Sequence, residues 1–397
     1  MFELIQDDST SPRIAVFGVG GCGCNTINQL CQANLSANVQ LIAVNTDSQS
    51  LALSQCGIRL QIGEQTTKGL GAGAIPQKGY EAAKESEAQL KELIAQADII
   101  FITGGMGGGT GTGALPLMAN ITSELNKPTV SVVTTPFAFE GNKRNHYANQ
   151  GLEQLMQHNN AVIVLPNDKL AKALDKKISL ISAFNESNQI LEDVLVSLTT
   201  TISQAGLINI DLNDFIEVIS HQGQAAMGVA KQQTGQDIEL TINEALKNPL
   251  LAEMDISRAQ GAIVSVMATE AIELSQYHQI GECLQQQLAP NALVIIGLTI
   301  VPELDNELEL MVITTGMSQA AQEEIKLSNP AKAIKHYEAE KTDSGTSKTT
   351  NENSNLLNIH DFLQQNAQQT NLTKPQAHSI NQFEQDLETP TYHRRRC

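Results

Sequence analysis

Gly107-Gly108-Gly109-Thr110-Gly111-Thr112-Gly113, entered from Ile99-Ile100-Phe101-Ile102 and followed by Ala114-Leu115-Pro116-Leu117-Met118-Ala119, decides the fold of this chain. The β-branched apolar run predicts a buried strand and the residues after the glycines predict a helix. Five glycines in seven residues let the backbone between them wrap an anion. At an ordinary glycine usage of about 7%, those five positions coincide in roughly one window per million. A flexible linker would not sit between a strand and a helix with threonines at fixed offsets.

A second glycine turn lies upstream. Ile14-Ala15-Val16-Phe17 runs into Gly18-Val19-Gly20-Gly21-Cys22-Gly23-Cys24-Asn25, where Gly18, Gly20 and Gly23 satisfy the dinucleotide pattern G-x-G-x-x-G. Alone that match is weak. A dinucleotide site gives the loop at 107–113 no role, and the run Leu41-Ile42-Ala43-Val44 is followed by Asn45-Thr46-Asp47 rather than by the acidic ribose partner a nicotinamide enzyme needs. A triphosphate needs more backbone donors than one loop supplies. Charge-assisted hydrogen bonds at about 1.5–3 kcal/mol each let two loops hold phosphates without a lysine. The pattern G-x-x-x-x-G-K-S/T is absent, which argues against a P-loop enzyme.

The apolar runs at 14–17, 41–44, 99–102, Thr129-Val130-Ser131-Val132-Val133 and Ala161-Val162-Ile163-Val164-Leu165 alternate with helical patterns. Continuous runs predict strands covered on both faces, hence an α/β domain with a doubly wound, mainly parallel sheet and ligands at the strands' carboxyl ends. The spacing of Ala183, Phe184, Ile190, Leu191, Val194, Leu195, Leu198 and Ile202 predicts a long central helix. In a second, α+β region, runs at 261–267, 293–299 and 308–313 read as strands, and Asp305-Asn306-Glu307 predicts a hairpin between the last two. Expected boundaries are a flexible N-terminus at 1–12, a nucleotide-binding domain at 13–181, the central helix at 182–204 and a second domain at 205–318. A Gln/Asn/Ser/Thr-rich disordered linker is expected at 319–380, with a short docking peptide at 381–397.

A net charge of −18 disfavours direct binding to nucleic acid or to an anionic membrane. No apolar run reaches the length of a membrane span, and Met1-Phe2-Glu3-Leu4-Ile5-Gln6-Asp7-Asp8 lacks the regions of a signal peptide, so a cytoplasmic protein is expected. Six cysteines, Cys22, Cys24, Cys31, Cys56, Cys283 and Cys397, then read as reduced thiols. Cys22 and Cys24 have no second Cys/His pair at ligand spacing, so no protein-held metal is expected.

Gly104-Gly105-Met106 with the glycine loop resembles the signature of the tubulin/FtsZ family. The resemblance extends through Ala43-Val44-Asn45-Thr46-Asp47, Thr67 to Ala74, Pro136 to Gly141, Lys143-Arg144 and Leu165 to Leu170. It is close over roughly 13–230 and looser over 245–316. It implies a GTPase of the cell-division ring that polymerises head to tail, with GTP/GDP as ligand and Mg²⁺ held through phosphate and water. Gly20, Gly21, Cys22, Gly23, Cys24, Asn25 and Asn45 would bind GTP with Gly107, Gly108, Gly109, Thr110, Gly111 and Thr112. Ala72, Gly73 and Ala74 would lie near the terminal phosphate, with Glu140 and Arg144 at the ribose and phosphate edge. Phe184 would stack on guanine while Asn25 and Asn188 read its polar edge.

No His or Glu in the glycine loops is an evident base for attack on a γ-phosphate. Asn209, Asp211 and Asp214 stand in an N-x-D-x-x-D loop that reads by itself as a helix cap, and by resemblance as the loop that completes the pocket of the next subunit. Those three are the expected catalytic residues. The tail Asp386 to Arg396 resembles the family's terminal peptide, implying membrane tethers and regulators such as FtsA and ZipA as partners, at mid-cell beneath the inner membrane. Departures from the family pattern are Cys22 and Cys24 for small residues, Asn142 for lysine, Asn188 for aspartate, and Thr389 and His393 for aliphatic residues. The stretch from Met227 also departs, and a GTP-binding paralogue with a regulatory filament role and weak turnover is the second reading.

Overall fold

The computed structural model describes residues 11–317, apart from 34, 174–177, 204–205, 221–223, 234, 248–250, 252–254, 302–303 and 305. The expected linker and docking peptide therefore lie outside the described residues, as does nearly all of the N-terminal segment. The strands are β1 (Ile14–Val19), β2 (Val39–Asn45), β3 (Ile58–Gln61), β4 (Ile99–Gly105), β5 (Thr129–Thr135), β6 (Ala161–Pro166), β7 (Gln224–Gln232), β8 (Gly261–Ala268), β9 (Leu293–Ile300) and β10 (Leu308–Met317). They form one sheet in the order β3-β2-β1-β4-β5-β6-β7-β10-β8-β9.

From β3 to β6 every pair is parallel. Strand periodicity explains the two layers above and below. Ile14, Val16, Ile99, Phe101, Val130 and Val132 point into a core shared with Leu191, Val194, Leu195 and Leu198 of the central helix, Leu180–Ser203. Ala15, Phe17, Val19, Ile100, Ile102 and Val133 point the other way, onto Leu115, Met118 and Ile121 of the helix Thr110–Glu124. The central helix is nearly as the spacing predicts, except that Phe184 is 38% exposed instead of packed in the core.

β6 and β7 join at only two residue pairs, Val162 with Gln224 and Ile163 with Ala225. Beyond that seam β10 pairs antiparallel with both β7 and β8, and β8 pairs parallel with β9. The predicted β9–β10 hairpin is therefore wrong. The helix Leu274–Gln287 carries the chain from β8 to β9 as a parallel crossover, which leaves β9 at the sheet edge. β10 then lies beyond β8, about 10 Å from β9 at two strand spacings. Among the described residues no helix is long and apolar enough to cross a membrane.

Gly228 in β7 fixes how closely the helix Ile238–Leu246 lies on the second half of the sheet. A Cβ there would meet the Ala245 carbonyl oxygen at 1.9 Å. Gly228→Ala should cost about 1–3 kcal/mol, as overpacking does. Urea unfolding followed by circular dichroism reads it, and an unchanged midpoint would disprove this packing.

Candidate nucleotide site

The two glycine turns meet at the carboxyl ends of β1 and β4. β1 passes straight into the first helix, Gly20–Leu30, through Gly20 at φ +73°, and a Cβ on Gly20 would meet the Gly111 nitrogen at 3.1 Å. Gly111 itself admits no side chain, because its Cβ would be 2.5 Å from the Gly105 carbonyl oxygen. Backbone against backbone, the turns bring the N-termini of two helices to one cleft of about 540 Å³. Neither helix has an acidic residue in its first turn, so both positive dipole ends face the cleft uncompensated. At Gly21 and Gly108 a Cβ would meet nothing within 4 Å.

The rim supplies the remaining chemistry. Among the described residues Arg144 is the only Lys or Arg lining the cleft, and its Nη1 donates to Glu140 Oε2 at 2.6 Å. Glu140 Oε1 accepts from the Phe137 N–H at 3.0 Å, so the carboxylate is held from two sides. Phe184 stands edge-on to Phe137, with ring centroids 5.1 Å apart, and Phe137 stacks on Phe139. Asn25 and Asn188 enter the cleft from the first and central helices. Cys22 Sγ lies 3.7 Å from Thr134 Oγ1 and donates to Asn188 Oδ1 at 3.9 Å. Burial pushes the Cys22 thiol up, which keeps it protonated as that donor.

Of the residues named from the sequence, Gly20, Gly21, Cys22, Asn25, Gly108, Gly109, Thr110, Gly111, Glu140, Arg144, Phe184 and Asn188 line the cleft. Other expected residues do not. Gly23 and Cys24 turn toward the sheet: a Cβ on Gly23 would meet the Thr103 oxygen at 2.6 Å, and the buried Cys24 thiol donates to Val44 O and Gly18 O. Asn45 is buried, and its Oδ1 accepts from the N–H groups of Thr46 and Asp47. Thr112 Oγ1 accepts from the Gly107 N–H at 2.8 Å, so both brace the loop from behind. Ala72 and Ala74 abut Gly109 from outside, and Gly73 lies between them.

Thr134, Pro136, Asn167, Asn185 and Ser187 also line the cleft but were not among the expected ligands. Thr134 could have been found, since it ends β5 at the carboxyl edge where such folds bind. A cavity of about 600 Å³ lies behind the loop, between the helices Pro76–Glu85, Thr110–Glu124 and Asn142–Met156, but no helix N-terminus lined by open glycines faces it.

Asn209, Asp211 and Asp214 are elsewhere, beyond the far end of the central helix. The loop is pinned by reciprocal backbone bonds between Ile208 and Leu298, at 2.9 and 3.2 Å, and by Ile210 buried against Gly297. Asp211 caps the helix Leu212–Ile219 by accepting from the Asp214 N–H at 2.8 Å, and Asn209 accepts from the Gly206 N–H. All three side chains belong to exposed residues. From Asn188 to Ser203 alone the helix rises about 22 Å.

Fold and cleft together define an α/β protein that receives an anionic ligand at the switch point of a parallel sheet. Residues 13–175 match the Tubulin/FtsZ family, GTPase domain, and residues 223–318 match the FtsZ family, C-terminal domain. Cell division protein FtsZ of Coxiella burnetii is 37% identical over 321 residues, covering 81% of this chain and 83% of that protein. Cell division protein FtsZ 1 of Pyrococcus abyssi is 40% identical over 306 residues, 77% of this chain and 81% of the relative. The empty FtsZ dimer of M. jannaschii superposes with a TM-score of 0.74 at 36% identity, over 79% of this chain and 93% of that one. The chain belongs to the tubulin/FtsZ family of GTPases, and its ligand is guanine nucleotide.

The glycines divide into two kinds that substitution separates. Gly108→Ala should leave the apo protein's Tm unchanged and weaken GDP binding by about tenfold or more, as for a lost or displaced phosphate contact. Gly111→Ala should lower the Tm itself, at a cost of about 1–3 kcal/mol. Calorimetry and thermal melts check both; equal effects of the two on stability would remove the distinction.

Proposed function

We propose that this chain is a GTP-dependent, self-assembling filament protein that forms the cell-division ring and hydrolyses GTP where two copies meet head to tail. One observation carries the reading. The cleft and the Asn209–Asp214 loop stand at opposite ends of one rigid helix, so a single molecule cannot bring Asp211 or Asp214 to the nucleotide it binds. A copy stacked end to end can. Such a heterologous contact does not close and generates filaments. Exposed apolar residues stand at both ends to be buried in it, Phe139 and Ile181 beside the cleft and Leu207 and Ile208 in the loop. The division role is supported by the relatives named cell division protein FtsZ.

In this reading the two helix N-termini hold the phosphates, Glu140 and Arg144 meet the ribose and phosphate edge, and Phe184 stacks on guanine with Asn25 and Asn188 at its polar edge. Ala72, Gly73 and Ala74 close on the terminal phosphate. Asp211 and Asp214 of the next copy position the attacking water and Asn209 orients it, since phosphoryl transfer asks mainly for positioning and charge stabilisation. Mg²⁺ would be carried in on phosphate oxygens and its own waters rather than held in a protein cage. When bound, the ion would neutralise charge developing between the β- and γ-phosphates. The terminal peptide would dock membrane tethers such as FtsA and ZipA, which would put the filament at mid-cell beneath the inner membrane.

Turnover per molecule should rise steeply above a threshold protein concentration and stay near zero below it. Asp211→Asn keeps the helix cap, since asparagine caps as well as aspartate, yet should lose hydrolysis while binding GTP normally. Phosphate release and nucleotide binding on the same samples check this. Constant turnover from dilute monomer upward, or full turnover by the variant, would sink hydrolysis at the interface.

A further inference from the structure

The first helix ends in a pair of thiols that the nucleotide site does not use. Cys31 follows the helix directly, is exposed, and has Cys56 as a neighbour whose presence, after burial, helps push its thiol up. Cys56 is 2% exposed, and its thiol points at the carbonyl oxygens of Leu41 and Ile58, 3.2 Å from each. Side-chain hydrogen bonds clamp the two segments together on both sides of the pair. Asn28 Oδ1 accepts from Ser54 Oγ at 2.7 Å and from the Gln55 N–H at 2.9 Å, and Gln32 Nε2 donates to Gln55 Oε1 at 3.3 Å. Thus the residues flanking Cys31 are tied to the residues just before Cys56, which holds the two cysteines as neighbours.

We propose that Cys31 and Cys56 are a modification site, forming a reversible disulfide when the protein meets a hydroperoxide. Both thiols are free, neither being in a disulfide. Cys31, the exposed partner, reacts first as thiolate: its sulfur bonds to one peroxide oxygen, the O–O bond breaks, and the departing hydroxide takes up the thiol proton as water. The sulfur is now a sulfenic acid. Cys56 attacks that sulfur from beneath, the S–O bond breaks, and water leaves with the Cys56 proton as the S–S bond forms. Two thiols give up two electrons, and one peroxide becomes two waters.

Cys24 and Cys22, the other thiols of the first helix, are differently placed. Cys24 is seven residues before Cys31 on the same helix, about 10 Å along its axis, and its own thiol donates to Val44 O and Gly18 O. Burial pushes the Cys24 thiol up to about 12, so it supplies almost no thiolate. Cys22 faces the nucleotide cleft at the opposite end of the helix. Burial, and after it the neighbouring Cys56, also push the Cys31 thiol up. Oxidation is therefore slower than at a dedicated peroxide sensor, and the short reach to Cys56 sets its product.

The test is hydrogen peroxide in modest excess over the full chain without nucleotide. Intact mass should fall by two hydrogens, peptide mapping should join the Cys31 and Cys56 peptides, and dithiothreitol should restore the original mass. Cys31→Ser, at an exposed position, should abolish the product, whereas Cys283→Ser should retain it. Sulfinic acid accumulating on Cys31 while Cys56 remains alkylatable after denaturation would overturn the proposal. So would an intramolecular bridge that excludes either residue.

Discussion

The rest of the structure depends on the contact between two glycine turns, backbone on backbone, at the ends of β1 and β4. Gly111 lies against the Gly105 carbonyl too closely for a side chain, and Gly20 packs on Gly111 at φ +73°, a conformation that favours glycine. That contact does what a lysine does in other phosphate sites. It aims two helix N-termini at one volume, so that partial positive charge and free N–H groups converge where Arg144 is already paired with Glu140. The strand order β3-β2-β1-β4-β5-β6 puts this contact at the point where the winding of the sheet reverses.

A site built from backbone binds well but has little reactive chemistry of its own. Among the described residues Glu140 is the only carboxylate lining the cleft, and it is committed to Arg144 and the Phe137 N–H. The carboxylates suited to positioning water are on the Asn209–Asp214 loop, which the Ile208–Leu298 bridge and the buried Ile210 hold rigid and exposed. The central helix keeps the two apart. With Leu191, Val194, Leu195 and Leu198 in the core, that helix would, in the proposed reading, make assembly a precondition for chemistry rather than a by-product of it.

Much of this was legible in the sequence because buried parallel strands leave uninterrupted β-branched runs, and because close backbone approach leaves glycine. Both signals are local. β3, four half-exposed residues, and β7, with its glutamines and lysine, lack such a run and were missed. The order of β8, β9 and β10 was misread because a turn signal between two strands says nothing about a third strand lying between them. Within the site, contiguity misled: at 100° per residue, Gly23 and Cys24 are carried round the first helix onto the sheet, while Gly21 and Cys22 face the cleft. Asn167, Asn185 and Ser187 stand in no glycine motif, and the fold brings them to the cleft.

The most direct test of a site shared between molecules is to mix two inactive chains. One carries Asp211→Asn with Asp214→Asn and keeps an intact cleft; the other carries a bulky residue at the open position, Gly108→Leu, and keeps its loop. Phosphate release is measured for each alone, for the mixture, and for one chain bearing all three substitutions. The account predicts that the mixture regains turnover where an intact loop meets an intact cleft, while the triple variant stays inactive. A mixture no more active than its separate parts, under conditions where the two co-sediment, would contradict it.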